Sequence, residues 1–188
     1  MSKPKLIALY SSGPRMGKST CADHLQAKHG YCRVSFAAPI RHMVDQLCRD
    51  AGVSKDDMFQ YVYGDRKEEV VPGVGATVRH MLRTLGTDWG RNMVNPDLWL
   101  NIAKRSVEAN WEVGWPVVVD DARFPNEFDF VKSMGGVTVR LHRPELEGVN
   151  AGHQSDGALD GMKFDYYFMD GNLETAINGM DKIVGEWK

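Results

Sequence analysis

Lysine and serine follow two glycines in Ser12-Gly13-Pro14-Arg15-Met16-Gly17-Lys18-Ser19, a spacing with one direct chemical use. Backbone N–H groups of such a loop turn inward around phosphate oxygens, and the N-terminus of a following helix adds partial positive charge. The Lys18 ammonium would reach the β- and γ-phosphates of a nucleotide, and the Ser19 hydroxyl would ligate Mg²⁺. The flanks suit a phosphate-binding P-loop. The apolar run Leu6-Ile7-Ala8-Leu9-Tyr10 precedes it, and Cys21, Ala22 and Leu25 follow on one helical face. Ser12 stands where the motif wants glycine, so either Gly13 supplies the missing freedom or the loop is one residue shorter. An ordinary Gly/Ser turn before a helix is the plainer alternative.

Two further groups of residues could act with this loop. Asp120 and Asp121 follow the run Val117-Val118-Val119, where a carboxylate facing the P-loop would hold Mg²⁺ directly or through water; capping the helix that opens at Pro125 is the alternative. Arg123 could grip a phosphate bidentately or sit in a surface ion pair, and Glu127 could serve only the helix dipole. Farther back, Arg79, Arg83 and Arg91 surround Leu85-Gly86-Thr87-Asp88-Trp89-Gly90. Trp89 or Trp99 beside them could stack a base, although Trp99 fits core packing better. Arg143, His153 and Asp156 share a polar, glycine-rich stretch over 142–164, read as a mobile segment in which arginine could neutralise charge on a transferred phosphoryl group. No Cys/His cluster has zinc spacing, and no Gly-x-Ser-x-Gly nucleophile elbow is present.

These residues need elements to hold them. Strands are expected over 5–10, 31–36, 117–120, 137–141 and 166–169, with helices over 18–28, from Pro39 to Gly52, and over 125–134. Ile40, Met43, Val44 and Leu47 form one stripe, and Ser54-x-x-Asp57 resembles a capping box ahead of Met58, Phe59 and Val62. Residues 65–75 read as an exposed loop. Thr77 can cap a helix that Gly86 stops, and Asn95-Pro96 starts another carrying Leu98, Trp99, Ile102, Ala103 and Val107. A last helix carries Leu173, Ala176, Ile177, Met180, Ile183, Val184 and Trp187 after the turn Asp170-Gly171-Asn172. The alternation predicts a parallel α/β sheet, with a helical insertion over 37–110 far longer than one crossover needs. Ligands bind at the carboxyl ends of strands in such sheets.

Composition sets limits. The chain has 188 residues, 43% hydrophobic and 26% charged, which suits one globular domain. A net charge of -2 gives no reason to expect nucleic acid or an anionic membrane as partner. Three cysteines argue for cytosolic thiols rather than a disulfide framework. No apolar run approaches transmembrane length.

Taken together, several stretches resemble one family, the bacteriophage deoxynucleoside monophosphate kinases. The resemblance rests on Gly17-Lys18-Ser19, Ser35-Phe36-Ala37-Ala38-Pro39, Leu85-Gly86-Thr87-Asp88-Trp89-Gly90-Arg91 and Asp121-Ala122-Arg123-Phe124-Pro125-Asn126-Glu127. A weaker match is Arg143-Pro144 followed by His153-x-Ser155-Asp156, where the family usually has Glu last. The resemblance implies a P-loop kinase three-layer sandwich with a five-stranded parallel sheet, a helical acceptor-binding region over 37–110 and a lid over 142–164. It implies transfer of the γ-phosphoryl of ATP to a deoxynucleoside monophosphate, with Mg²⁺.

On this reading Lys18, Arg123, Asp121 and Arg143 are the candidate catalytic groups. Gly13, Arg15, Met16, Gly17, Lys18, Ser19, Thr20 and Asn172 are the candidate ATP contacts. Arg83, Trp89, Arg91, Arg123 and Asp121 are the acceptor contacts, and Ser19, Asp120 and Asp121 the metal ligands. The expected partners are small nucleotides, without nucleic acid or membrane, in the cytoplasm of a cell or of a phage host; a homodimer is compatible. The same loop could serve a kinase of another acceptor, a small phosphorylated metabolite or a modified base in DNA. A nucleotide-dependent switch is a further alternative, but its Asp-x-x-Gly and Asn-Lys-x-Asp signatures are missing.

Overall fold

In the computed structural model, which describes residues 3–13, 15–144 and 157–186, five apolar runs pair into one parallel sheet. They are β1 (Leu6–Tyr10), β2 (Cys32–Val34), β3 (Val117–Val119), β4 (Val137–Leu141) and β5 (Tyr166–Phe168), in the order β2-β3-β1-β4-β5. Every pairing is parallel; Leu6 sits opposite Val117 on one side of β1, and Ile7 opposite Val137 on the other. The centre of the sheet is therefore β1, and all five of its residues are buried. A strand covered on both faces has no use for alternation, which explains the near-continuous apolar run.

The chain divides into two compact units, Met1–Ser35 with Ala103–Lys188, and Phe36–Ile102. The first holds the sheet, α1 (Lys18–His29), most of α5 (Leu98–Glu112), α6 (Pro125–Ser133) and α7 (Leu173–Glu186). Helices α1 and α7 cover one face, where Cys21, Ala22 and Leu25 meet Ala176, Met180 and Ile183 over Ile7, Leu9 and Val139. Burial of each Leu, Ile, Val or Met side chain among them contributes about 1.5–3 kcal/mol. Helix α6 packs on β1 and β4 from the other face. Gly30 ends α1 with φ 69°, as its place in the sequence implies. Trp187, the end of the predicted apolar stripe on α7, lies outside the described residues.

The second unit contains α2 (Ala38–Asp50), α3 (Lys55–Val62), α4 (Val78–Arg83) and a π-helix (Thr84–Val94), with a core of its own built from Val44, Cys48, Met58, Val62, Val71 and Val78 among others. Ser54 caps α3 by accepting from the Asp57 N–H, and Thr77 caps α4 by accepting from the His80 N–H, as predicted. Two expectations change, for α2 and for Gly86, and the exposed 65–75 loop is refined. The buried edge of α2 is Ile40, Val44 and Cys48, because α3 and α4 pack on that i, i+4 row; Met43 and Leu47 stay exposed. The 65–75 loop is anchored, with Val71 fully buried and Arg66 bonded to Asp57, Glu69 and Tyr61. Gly86 does not stop a helix, since the chain winds on as a π-helix through Gly86 and Gly90.

Trp99 packs against that continuation. Its indole N–H donates to the Gly86 carbonyl at 2.7 Å. A Cβ on Gly90 would stand 2.3 Å from Trp99 Cζ2, so the ring lies where a side chain would have been. Upstream, the Thr84 hydroxyl donates to the His80 and Met81 carbonyls.

The predicted mobile segment over 142–164 is in part core. Leu159 and Phe164 are buried with Tyr10 and Phe128, and the Phe164 ring stacks on Tyr10 at 5.3 Å. The Tyr10 hydroxyl donates to Asp160 at 3.0 Å, and Arg140 pairs with the same carboxylate at 2.8 Å. His153 and Asp156 lie outside the described residues.

Candidate active site

The loop after β1 is short and conformationally unusual. Arg15 has φ 60° and Gly17 φ 94°, both left-handed, and alternation of this kind folds a backbone into an anion-binding concavity. Gly17 needs that freedom twice over, because a Cβ there would also meet Leu173 Cδ1 at 2.9 Å. Pro14 lies outside the described residues.

Lys18 opens α1 and folds back over the loop, donating to the Ser11 hydroxyl and, at 3.2 Å, to the Gly13 carbonyl. The Ser11 hydroxyl donates in turn to the Gly13 carbonyl at 2.7 Å. Burial pushes the Lys18 ammonium down to about 8, and the Arg123 guanidinium pushes the same way, against the opposing pull of Asp120 and Asp121. A cation this poorly solvated is poised for a strongly anionic partner.

The two carboxylates after β3 separate into different roles. Asp120 faces α1: the Ser19 hydroxyl donates to its Oδ2 at 3.4 Å, and Arg33 Nη2 pairs with the same oxygen at 3.1 Å. Arg33 also donates to the Ser19 carbonyl at 2.9 Å. Asp121 accepts from the Ser35 hydroxyl. Ser19 and Asp120 thus offer hard oxygen donors near the separation, about 2.9 Å, of adjacent ligands in an octahedral Mg²⁺ shell. That donor set fits magnesium.

Arg123 is exposed, and its backbone is held rather than free. The buried Glu127 carboxylate accepts from the Arg123 N–H at 2.7 Å and the Phe124 N–H at 3.1 Å. Glu127 is therefore a cap that sets the loop carrying Arg123, a sharper role than favouring the helix dipole.

A shallow cleft after β4 and β5 is lined by Met16, His142, Arg143, Phe168, Asn172 and their neighbours. Arg143 donates to the Arg15 carbonyl at 3.5 Å, at the limit for a hydrogen bond. Asn172 caps α7, its side-chain oxygen accepting from the Glu174 and Thr175 N–H groups at 2.8 and 3.3 Å. Among the described residues, the buried His142 Nδ1 finds no hydrogen-bond partner.

Thr20 follows Ser19 in α1 and is exposed. Within the second unit, Arg83 is exposed at the end of α4. Trp89 is 40% exposed and tilted against Trp99 at 6.1 Å. Arg91 is buried and donates to the Pro96 carbonyl at 3.0 Å. The first unit therefore brings together Lys18, Ser19, Asp120, Asp121 and Arg123; the second holds Arg83, Trp89 and Arg91 on its own helices. Sequence reasoning did not single out Ser11, Arg33 or His142. Arg33 reaches Asp120 because β2 lies beside β3, and no local pattern announces that neighbour.

With this geometry in place, comparison with known proteins defines the class. The chain matches the deoxynucleotide monophosphate kinase family over residues 51–175, a span that includes the Leu85 to Arg91 and Asp121 to Glu127 stretches. It is 30% identical over 170 residues to a protein of Acanthamoeba polyphaga mimivirus named "Putative deoxynucleotide monophosphate kinase", covering 84% of this chain and 83% of that one. The chain belongs to the deoxynucleotide monophosphate kinase family, and so to the phosphotransferases. No helix among the described residues is long and apolar enough to cross a membrane.

Proposed function

We propose that the chain transfers the γ-phosphoryl group of ATP to a deoxynucleoside monophosphate, giving the diphosphate and ADP, with Mg²⁺ and in the cytoplasm. The observation that carries this reading is the convergence of a half-buried lysine, a hydroxyl and a carboxylate where β1 and β3 end: Lys18, Ser19 and Asp120, with Arg123 close enough to depress the lysine. Gly13, Arg15, Met16, Gly17, Lys18, Ser19 and Thr20 cradle the ATP phosphates, and Asn172 faces the same nucleotide from the cleft after β5. Arg83, Trp89 and Arg91 are the acceptor contacts of the helical region over 37–110, and Asp121 and Arg123 are those that follow β3. A lid within 142–164 brings Arg143 over the phosphates and excludes water.

The chemistry asks little of a nucleophile–base pair. The acceptor phosphate is already anionic, so its oxygen forms the new bond to the γ-phosphorus without a general base. The bond to the β–γ bridging oxygen breaks, and its electron pair leaves with ADP. Lys18 neutralises charge gathering on the β- and γ-phosphates, and Arg123 lines up donor and acceptor phosphates. Ser19, Asp120 and Asp121 would hold Mg²⁺, which when bound neutralises charge on the transferring group. The test is a panel of deoxy- and ribonucleoside monophosphates with ATP and Mg²⁺, the products separated by chromatography. At least one deoxynucleotide should be converted to its diphosphate with equimolar ADP. ADP release indifferent to every acceptor would overturn the reading.

A further inference from the structure

Helix α1 carries a second set of reactive side chains, on its later turns. His24 Nε2 lies 2.8 Å from Asp181 Oδ1, and His29 Nε2 lies 2.6 Å from the same oxygen. Lys28 Nζ pairs with the other carboxylate oxygen at 2.7 Å. The two imidazole nitrogens and the carboxylate oxygen all lie within 4.8 Å of one another. His24 is six residues beyond Lys18 and His29 eleven, so this cluster stands roughly 9–17 Å along the helix from the P-loop. Asp181 belongs to α7, which packs along α1, and the separation of more than 150 positions hides the cluster from any spacing rule.

We propose that His24, His29 and Asp181 form a binding site for a borderline-soft divalent cation of the zinc class. The donor set is the one such ions select, two neutral imidazoles and a carboxylate, with the fourth tetrahedral position left to water. The side chains are 21%, 18% and 28% exposed, so an ion and its water can enter while the ligands stay held. A carboxylate oxygen only accepts, so each Nε2 facing it carries a hydrogen. The cation takes the place of those hydrogens. With metal bonds of about 2.0–2.2 Å, tetrahedral donors stand about 3.3 Å apart, so each N···O separation opens by roughly half an ångström. Lys28 opposes the ion by charge, but its side chain is 57% exposed and can swing into water. The bound ion would tie α1, which bears Lys18 and Ser19 at its other end, to α7.

The experiment titrates Zn²⁺ by calorimetry into the full chain stripped with chelator, and Co²⁺ as a spectroscopic probe. Expected are one saturable equivalent, visible bands of a four-coordinate Co²⁺ ion, and a Tm rise of roughly 5–10 °C at a hundredfold excess over Kd. His24→Gln with His29→Gln should abolish all three, Asp120→Asn should leave them intact, and Lys28→Gln should tighten binding. If the double variant fails to fold, Asp181→Asn, with its fold checked by circular dichroism, replaces it. Absence of saturable binding, binding that survives loss of the histidines, or loss on Asp120→Asn would each overturn the site.

Discussion

Two glycine-bearing stretches, Gly13 to Ser19 and Leu85 to Arg91, read alike in the sequence: small residues, basic side chains, a junction between elements. The structure uses them in different ways. At Gly17 the residue supplies a left-handed backbone, and the result is polar, with Lys18 turned onto Ser11 and Gly13. At Gly90 it supplies empty space, and the result is apolar, with the Trp99 ring filling it. Gly17 is kept for its conformation as well as for a close Leu173, whereas Gly90 is kept for volume alone. A substitution at Gly17 or Lys18 should therefore be felt in turnover, and one at Gly90 in stability.

The largest expected effect tests the first half of that contrast. Lys18→Ala should lower turnover by about a hundredfold or more, at least about 2.7 kcal/mol of barrier, with no loss of thermal stability because a poorly solvated cation is removed. Turnover within about tenfold of the parent would break the assignment. Gly90→Ala should show the opposite profile. Its new methyl overlaps Trp99, which costs about 2–3 kcal/mol by denaturant unfolding, while kcat of the folded fraction stays near that of the parent. A stable variant with impaired kcat would reverse the comparison. Arg123→Lys keeps the charge but loses the planar fork, so kcat/KM for the acceptor should fall about tenfold. Unchanged kinetics would return Arg123 to the surface.

The smallest effect is a pH dependence. With Lys18 held at about 8 in the free protein, kcat/KM for ATP should fall roughly fourfold between pH 7 and 8.5, while kcat holds to higher pH because bound phosphates favour the ammonium. Stability should move the other way. Unfolded, the lysine keeps its proton up to its ordinary 10.5; folded, it releases it near 8. Between these values the unfolded chain binds more protons, so stability rises with pH across that window, and Lys18→Ala should remove this component. Denaturant midpoints from pH 7.5 to 10 for both proteins measure it.

What was legible in the sequence was whatever depends on neighbours along the chain. Val137–Leu141 emerges with its predicted bounds, and Ser54 and Thr77 cap the helices their positions imply. The Gly13 to Ser19 loop and the Asp121 to Glu127 stretch are local as well. Features that arise from distant pairing were not legible. Gly86 has the local look of a helix stop, yet a tryptophan thirteen residues on takes its carbonyl and the helix continues. Leu159 and Phe164 sit in a polar, glycine-rich stretch and still pack on Tyr10. Arg33 reaches Asp120 only through the strand order, and Glu127 is seen as a cap only once its carboxylate is found buried against two amides.

The chain leaves the sheet after β2 and returns at β3, and these two strands are neighbours. Between them the helical unit keeps its own core, whose buried members from Val44 to Met81 all belong to Phe36–Ile102, while the core beneath β1 draws on none of them. In evolutionary terms the two cores carry separate mutational loads. A substitution tolerated around Val62 needs no matching change around Leu9. A lineage can thus redraw its helical unit while the sheet-bearing unit descends almost unaltered.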